Sequence, residues 1–242
     1  MSITTNPDAV ERARSLQSLA DDQAGASEAL GQLTQDLDDA LHEQGLYGMW
    51  VPKSLGGLEL DPISSLEVIE AVSYGQPSAG WVLMAAALSV GTGAAYLSDE
   101  AADQLFTGER FTIIAGQGTR PGTARKVEGG LEISGSWSFA SGIKHATHLH
   151  TAAQDTETGQ PRFFIVPVEQ VTFDQGSWDV MGLRGTGSID YTLQDVFVPA
   201  NHSYYTLTTE PVTGGDLYRI GIGNYASLNH GPWALGTGRR LL

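Results

Sequence analysis

The sequence predicts an α+β protein: an N-terminal helical domain, an antiparallel β-barrel-like domain, then the start of a further helical region. Three observations carry this. Apolar residues recur at three- and four-residue intervals through about residue 110, and from Phe111 they shift to short β-rich runs separated by glycine turns. After Pro199 a polar stretch leads back to helical spacing. Helices that precede strands, rather than alternate with them, argue against a parallel α/β sheet.

Residues 1–110 form the helical part. Val10, Leu16 and Leu19, then Leu30, Leu33, Leu37 and Leu41, supply the apolar face, and acidic residues such as Asp36 and Asp39 fill the solvated one. Gly45 stands where a glycine cap would end that helix. Pro52 and Gly56-Gly57 mark an irregular connector, and Asp61-Pro62 reads as an N-cap followed by proline at the first helical position. The stretch "QPSAGWVLMAAALSVGTGAAYLS", from Gln76 to Ser98, is uncharged and long enough to cross a bilayer. Pro77 near its start, its polar residues and the lack of flanking Lys or Arg predict a buried helix instead. Ser98 and Asp99 then cap a last helix closing at Gly108.

Residues 111–210 read as about six or seven strands. Gly129-Gly130 in "VEGGLEISG" supplies a two-residue hairpin turn. The segment "GSWSFASG" sets Trp137 and Phe139 beside small hydroxyls between two glycines, more like a surface that receives a flat molecule than a core strand. In "WDVMGLRGTGS", Gly182, Gly185 and Gly187 surround Arg184, giving either an anion nest of backbone N–H groups or a tight structural turn. Composition favours the turn. In "HATHLH", His148 and His150 would share a strand face with His145 turned away, so partly exposed strand histidines are expected rather than a metal site. Residues 211–242 regain helical spacing.

The totals exclude several functions. Thirteen Lys and Arg against 28 Asp and Glu give a net charge of −15, which repels nucleic-acid phosphates and anionic lipid. With no cysteine there is no disulfide, thiolate nucleophile or cysteine metal site. The first residues show no basic segment followed by an apolar one, so a cytoplasmic location is expected. Neither a strand–GxGxxG–helix unit, a Walker loop nor a GxSxG elbow occurs, which argues against Rossmann-type dinucleotide binding and serine hydrolysis.

Three ordered stretches carry a resemblance. "VPKSLGGLEL" matches a Pro-x-x-x-Gly-Gly connector, "GQPSAGWVL" a small-residue helix start, and "MGLRGTGSIDYTLQDVFVP" a Met-Gly-x-Arg strand ending in Val-x-Val-Pro. Together they resemble the acyl-CoA dehydrogenase superfamily. Where its dehydrogenases carry Thr-Glu-Pro-x-x-Gly-Ser-Asp, this chain has Thr119 and Pro121 without the glutamate or the Gly-Ser-Asp run. Trp137 to Gly142 and Trp178 to Ser188 are instead similar to the two-component flavin-dependent monooxygenases acting on 4-hydroxyphenylacetate or dibenzothiophene.

That resemblance implies a monooxygenase that uses reduced flavin (FMN or FAD) and O2 to hydroxylate a small aromatic or polycyclic substrate. Ser141 would be the catalytic group at the flavin N5, with Gln117, Thr119, Trp137, Phe139 and Ala140 also at the cofactor. Trp178 would wall the substrate cavity. Reduced flavin would come from a separate NAD(P)H:flavin reductase. The family's C-terminal helical bundle would be present only in its start, which leaves a homo-oligomer or a complementing subunit to complete the site. Two alternatives stand beside this reading: an acyl-CoA dehydrogenase performing α,β-desaturation, and a truncated, non-catalytic partner.

Overall fold

The computed structural model describes residues 6–108 and 111–242, so the expected domain boundary at 110/111 touches residues outside the described ones. Four short helices open the chain: α1 (Pro7–Ser15), α2 (Gln17–Asp22), α3 (Ala24–Leu30) and α4 (Gln35–Glu43). The leucine spacing suggested fewer breaks. Gly31 turns left-handed (φ +66°) after α3, so Leu33 enters the core from a loop while Leu30 stays outside. Gly45 is left-handed (φ +70°) just past α4, as a C-terminal glycine should be.

Asp61 caps α5 (Pro62–Gly75) by accepting the N–H groups of Ile63 and Ser64 at 3.0 and 3.1 Å. Helix α6 (Pro77–Tyr96) has the length and hydropathy to cross a membrane, yet 83% of its most apolar window is buried inside the protein. Its glycines admit neighbours: a Cβ at Gly80 would stand 2.0 Å from Ser73 Oγ, and one at Gly91 2.5 Å from Trp50 Cβ. Helix α7 (Asp99–Phe106) follows its Ser98 cap.

Among the described residues, seven strands form one sheet: β1 (Ile114–Val127), β2 (Gly130–Ala140), β3 (His148–Asp155), β4 (Pro161–Pro167), β5 (Thr172–Asp174), β6 (Ile189–Pro199) and β7 (Ser203–Tyr205). Their order is β5-β6-β2-β1-β3-β4-β7. Every pair is antiparallel except β1 with β3. The expected order of helices, barrel-like antiparallel sheet and further helix stands, with one refinement: the sheet is mostly antiparallel but open, with β5 and β7 at its edges. After β2 the chain turns through residues 143–145 and returns on the far side of β1, running in β1's own direction. The hairpin turn falls on Glu128-Gly129 rather than on both glycines, because Val127 already pairs with Gly130. Only Gly129 is left-handed there (φ +78°).

Both faces of β4 are covered, which explains its unbroken apolar run. Phe163 and Ile165 pack with α6 and α7, whereas Phe164 and Val166 pack with Trp137 and Tyr191 across the sheet. The last helix, α8 (Ile222–Leu241), closes over α5 and α6. A Cβ at Gly236 would lie 2.3 Å from the Glu70 carbonyl, and the Trp233 indole N–H donates to the Pro77 carbonyl at 2.9 Å. Tyr225 joins the helical core.

Candidate functional site

Segments far apart in sequence meet where β2 ends: α3, the first turns of α6, and the glycine-rich loop before β6. The Glu28 carboxylate on α3 accepts the N–H groups of Arg184 and Gly185 at 2.9 and 3.0 Å and the Ser78 hydroxyl at 2.6 Å. The loop is therefore a nest and a structural turn at once, its donors filled by the protein's own carboxylate. Burial alone would raise the Glu28 pKa. The Ser78 hydroxyl, the two backbone donors and the Arg184 charge outweigh it and hold the carboxyl below its ordinary value.

Strand β2 reaches this point through a bulge. Trp137 pairs with Tyr191 and Ala140 with Ile189, three steps against two. The surplus residue is taken up at Phe139, whose left-handed φ of +72° costs a non-glycine residue about 1–2 kcal/mol. Its N–H donates to Asp190 Oδ1 at 3.3 Å. The bulge breaks the strand's alternation. Phe139 is turned out, 60% exposed and edge-on to Trp178 with ring centroids 6.0 Å apart, while Ala140 and Ser141 are buried.

Ser141 sits in a run of hydroxyls. Its Oγ accepts the Trp81 indole N–H at 3.0 Å and lies 2.7 Å from Ser188 Oγ. Ser188 Oγ is 2.7 Å from Thr186 Oγ1, which donates to the Leu183 carbonyl at 2.8 Å. The same carbonyl receives the Trp178 indole N–H at 3.1 Å. Trp81 in turn meets α8, edge-on to Trp233 at 4.9 Å and to His230 at 5.6 Å. The result is a buried hydroxyl array beside aromatic rings, suited to hydrogen-bonding the polar edge of a flat ligand.

The structure brings together some of the residues singled out from sequence. Ser141, Ala140, Phe139 and Trp178 belong to one locality. Trp137 does not present its ring there: it is buried in the sheet core, stacked on Tyr191 at 5.1 Å, its indole N–H donating to the Ala152 carbonyl at 3.1 Å. Gly135 and Gly122 serve that ring, since a Cβ at either would come within 2.7 Å of it. Gln117 is half-buried on β1, just before a bulge, and its carbonyl lies 3.5 Å from the Tyr191 hydroxyl. Thr119 lies in that bulge, and its side chain falls outside the described residues. Trp81, Thr186, Ser188 and Glu28 were given no role in the site from sequence, although the motifs "GQPSAGWVL" and "GLRGTGS" contain the first three.

His148 is half-buried on β3 as expected, but two other histidines depart from expectation. His150 is buried, stacked on Phe163 at 4.1 Å, with Nε2 2.7 Å from the Tyr204 hydroxyl, and burial pushes its pKa down to about 3. His145 lies in the turn at 143–145, not on a strand; its Nε2 accepts the Leu33 N–H at 3.1 Å and its Nδ1 faces Asp38 at 3.6 Å. Burial lowers its pKa as well, against the opposing pull of Asp38. Among the described residues, no group of three or more His, Asp or Glu is arranged to hold a metal ion.

Residues 13–106 match the model of the acyl-CoA dehydrogenase N-terminal domain. Over 172 residues, 69% of this chain and 43% of the relative, the sequence is 33% identical to an indole-3-acetate monooxygenase of Pseudomonas putida. It is 30% identical over 216 residues to the flavin-dependent monooxygenase oxygenase subunit HsaA of Mycobacterium tuberculosis, covering 88% of this chain and 53% of that protein. The solved structure of XiaF from Streptomyces sp. in complex with FADH2 and glycerol superposes with a TM-score of 0.84 at 25% identity, over 97% of this chain and 61% of that one. The chain spans about half the length of the curated relatives it matches.

Proposed function

From a chain with the acyl-CoA dehydrogenase-like fold, we propose an oxygenase component that uses reduced flavin and O2 to hydroxylate a small aromatic substrate. The observation that carries this reading is Ser141: a buried hydroxyl at the tip of a bulged strand, oriented by the Trp81 indole and bordered by the Phe139 ring. The relatives named as monooxygenases, and the XiaF structure that holds FADH2, support it.

The residues present fit a flavin. The isoalloxazine system is flat, with polar atoms on one edge; Ser141 keeps a free acceptor lone pair, and an aromatic side chain held outward against backbone strain supplies a wall. In this reading Ser141 hydrogen-bonds the ring edge at N5, with the Phe139–Ala140 backbone beside it. Strand β1 at Gln117 runs along the pyrimidine side, and Trp178 and Trp81 border the substrate cavity. When bound, reduced flavin supplies the electron pair that lets O2 place one oxygen atom on the substrate and release the other as water. The protein's part is to orient the ring, exclude water and keep the Ser141 proton where the hydroxyl run holds it. A separate NAD(P)H:flavin reductase delivers the reduced flavin, in keeping with the name of the HsaA relative as an oxygenase subunit.

Anaerobic titration with dithionite-reduced FMN and FAD, followed by admission of air with indolic and phenolic substrates, tests the reading. Tight binding of a reduced flavin and a hydroxylated product support it. Bleaching of bound oxidised flavin by an acyl-CoA would replace it with a dehydrogenase, and failure to bind either redox state would remove flavin from the account.

A further inference from the structure

The hydroxyl run at Ser141 has a direction. Leu183 contributes a carbonyl, which only accepts, so the 2.8 Å contact with Thr186 Oγ1 requires the threonine proton to lie between them. Without that proton, two oxygens would face each other lone pair to lone pair. Thr186 then has no proton for Ser188, so at 2.7 Å Ser188 must donate to Thr186. By the same step Ser141 donates to Ser188, also at 2.7 Å. At the head of the run the Trp81 indole N–H, which only donates, points at Ser141 Oγ at 3.0 Å. A fixed donor at one end and a fixed acceptor at the other therefore orient all three hydroxyl protons toward Leu183.

We infer that this run makes Ser141 a hydrogen-bond acceptor toward its ligand, so that the site selects a ring carrying N–H at that edge over one presenting a bare nitrogen. The inference rests on the flavin reading above. Reduced flavin bears a hydrogen on N5 and oxidised flavin does not, so the same serine that welcomes the reduced ring faces the oxidised one with lone pair against lone pair. Redox selectivity is thus built from Thr186 and Ser188, which need not touch the flavin. Thr186 and Ser188 are both buried, which keeps water from relieving the order by offering substitute partners. Trp178 is tied to the same terminus through its own bond to the Leu183 carbonyl, so the substrate wall and the proton order share one anchor.

The test is a pair of dissociation constants per variant, for reduced and for oxidised flavin, measured anaerobically by fluorescence. Wild type should favour the reduced form. Thr186→Val keeps the volume but removes the last hydroxyl, which frees Ser188 to donate to Ser141 and Ser141 to donate outward. Ser188→Ala frees the Ser141 proton directly. Each should narrow the preference by about fivefold, one neutral hydrogen bond's worth, chiefly through tighter binding of oxidised flavin. Ser141→Ala should weaken the reduced form and leave little preference. If both relay variants bind flavin with the wild-type ratio, as folded proteins by circular dichroism, the directional run is overturned while the flavin site stands. If wild type binds neither form, the flavin reading itself fails.

Discussion

Glu28 and Gly185, 157 residues apart, are joined by a carboxylate-to-backbone bond of 3.0 Å, so an N-terminal helix sets the shape of the loop that carries Thr186 and Ser188. The pKa of Glu28 is held below the ordinary carboxylate value of 4.5, so its contribution to stability is fully present above about pH 4.5 and is lost as pH falls through the lower folded-state value. Glu28→Gln should lower the melting temperature at neutral pH, by about 1 kcal/mol equivalent because the group is part-exposed. The gap between wild type and variant should close on acidification, and thermal melts from pH 7 to pH 3 read it.

Trp137 separates a core role from a cofactor role. Trp137→Phe gives up its bond to Ala152 and part of its stack on Tyr191, and should cost about 1–3 kcal/mol in urea unfolding. Flavin affinity of the folded variant should stay at the wild-type value. A loss of flavin binding without loss of stability would put the ring in the site after all.

At Phe139 the opposite trade is expected. Phe139→Gly relieves the φ of +72° at a largely exposed position, so stability should hold or rise by up to about 1 kcal/mol. The flavin wall disappears with the ring, and the dissociation constant for reduced flavin should increase. Calorimetry and titration on the same preparation check both signs.

His150 predicts an acid limb. Its folded pKa of about 3 lies below the ordinary 6.5, so between those values the unfolded chain takes up a proton that the folded one refuses. Stability is therefore greatest above pH 6.5 and falls as pH is lowered toward 3. His150→Gln should remove up to one proton's slope, about 1.4 kcal/mol per pH unit, from the wild-type curve between pH 6 and pH 4. Urea denaturation across that range measures the difference, with the remaining histidines common to both proteins.

The local signals in the sequence were those that act locally. The Asp61-Pro62 cap and the glycine after α4 each report on a few adjacent residues, and the structure places them as read. The β2 bulge was not legible. Strict alternation assigns Trp137 and Phe139 to one face, and only the two-for-three register with β6, set by residues fifty positions away, sends one ring into the core and the other to solvent. Trp81 escaped notice for a related reason: nothing in an alanine-rich helix marks the one side chain that will meet a serine sixty residues later. Asp38, buried under the Tyr47 hydroxyl, was hidden among acidic neighbours that are solvated.

Helix α8 lies on α5, with ion pairs from Arg239 to Glu70 and from Arg240 to Asp21. During synthesis α5 leaves the ribosome with its partner face bare, and the residues that cover it begin only at Ile222. At about 5–20 residues per second that interval is roughly 7–30 s. The nascent chain thus carries this face of α5 uncovered while the whole sheet is being made. Variants that slow elongation between α5 and α8 should therefore lower soluble yield even when the finished protein is as stable as before.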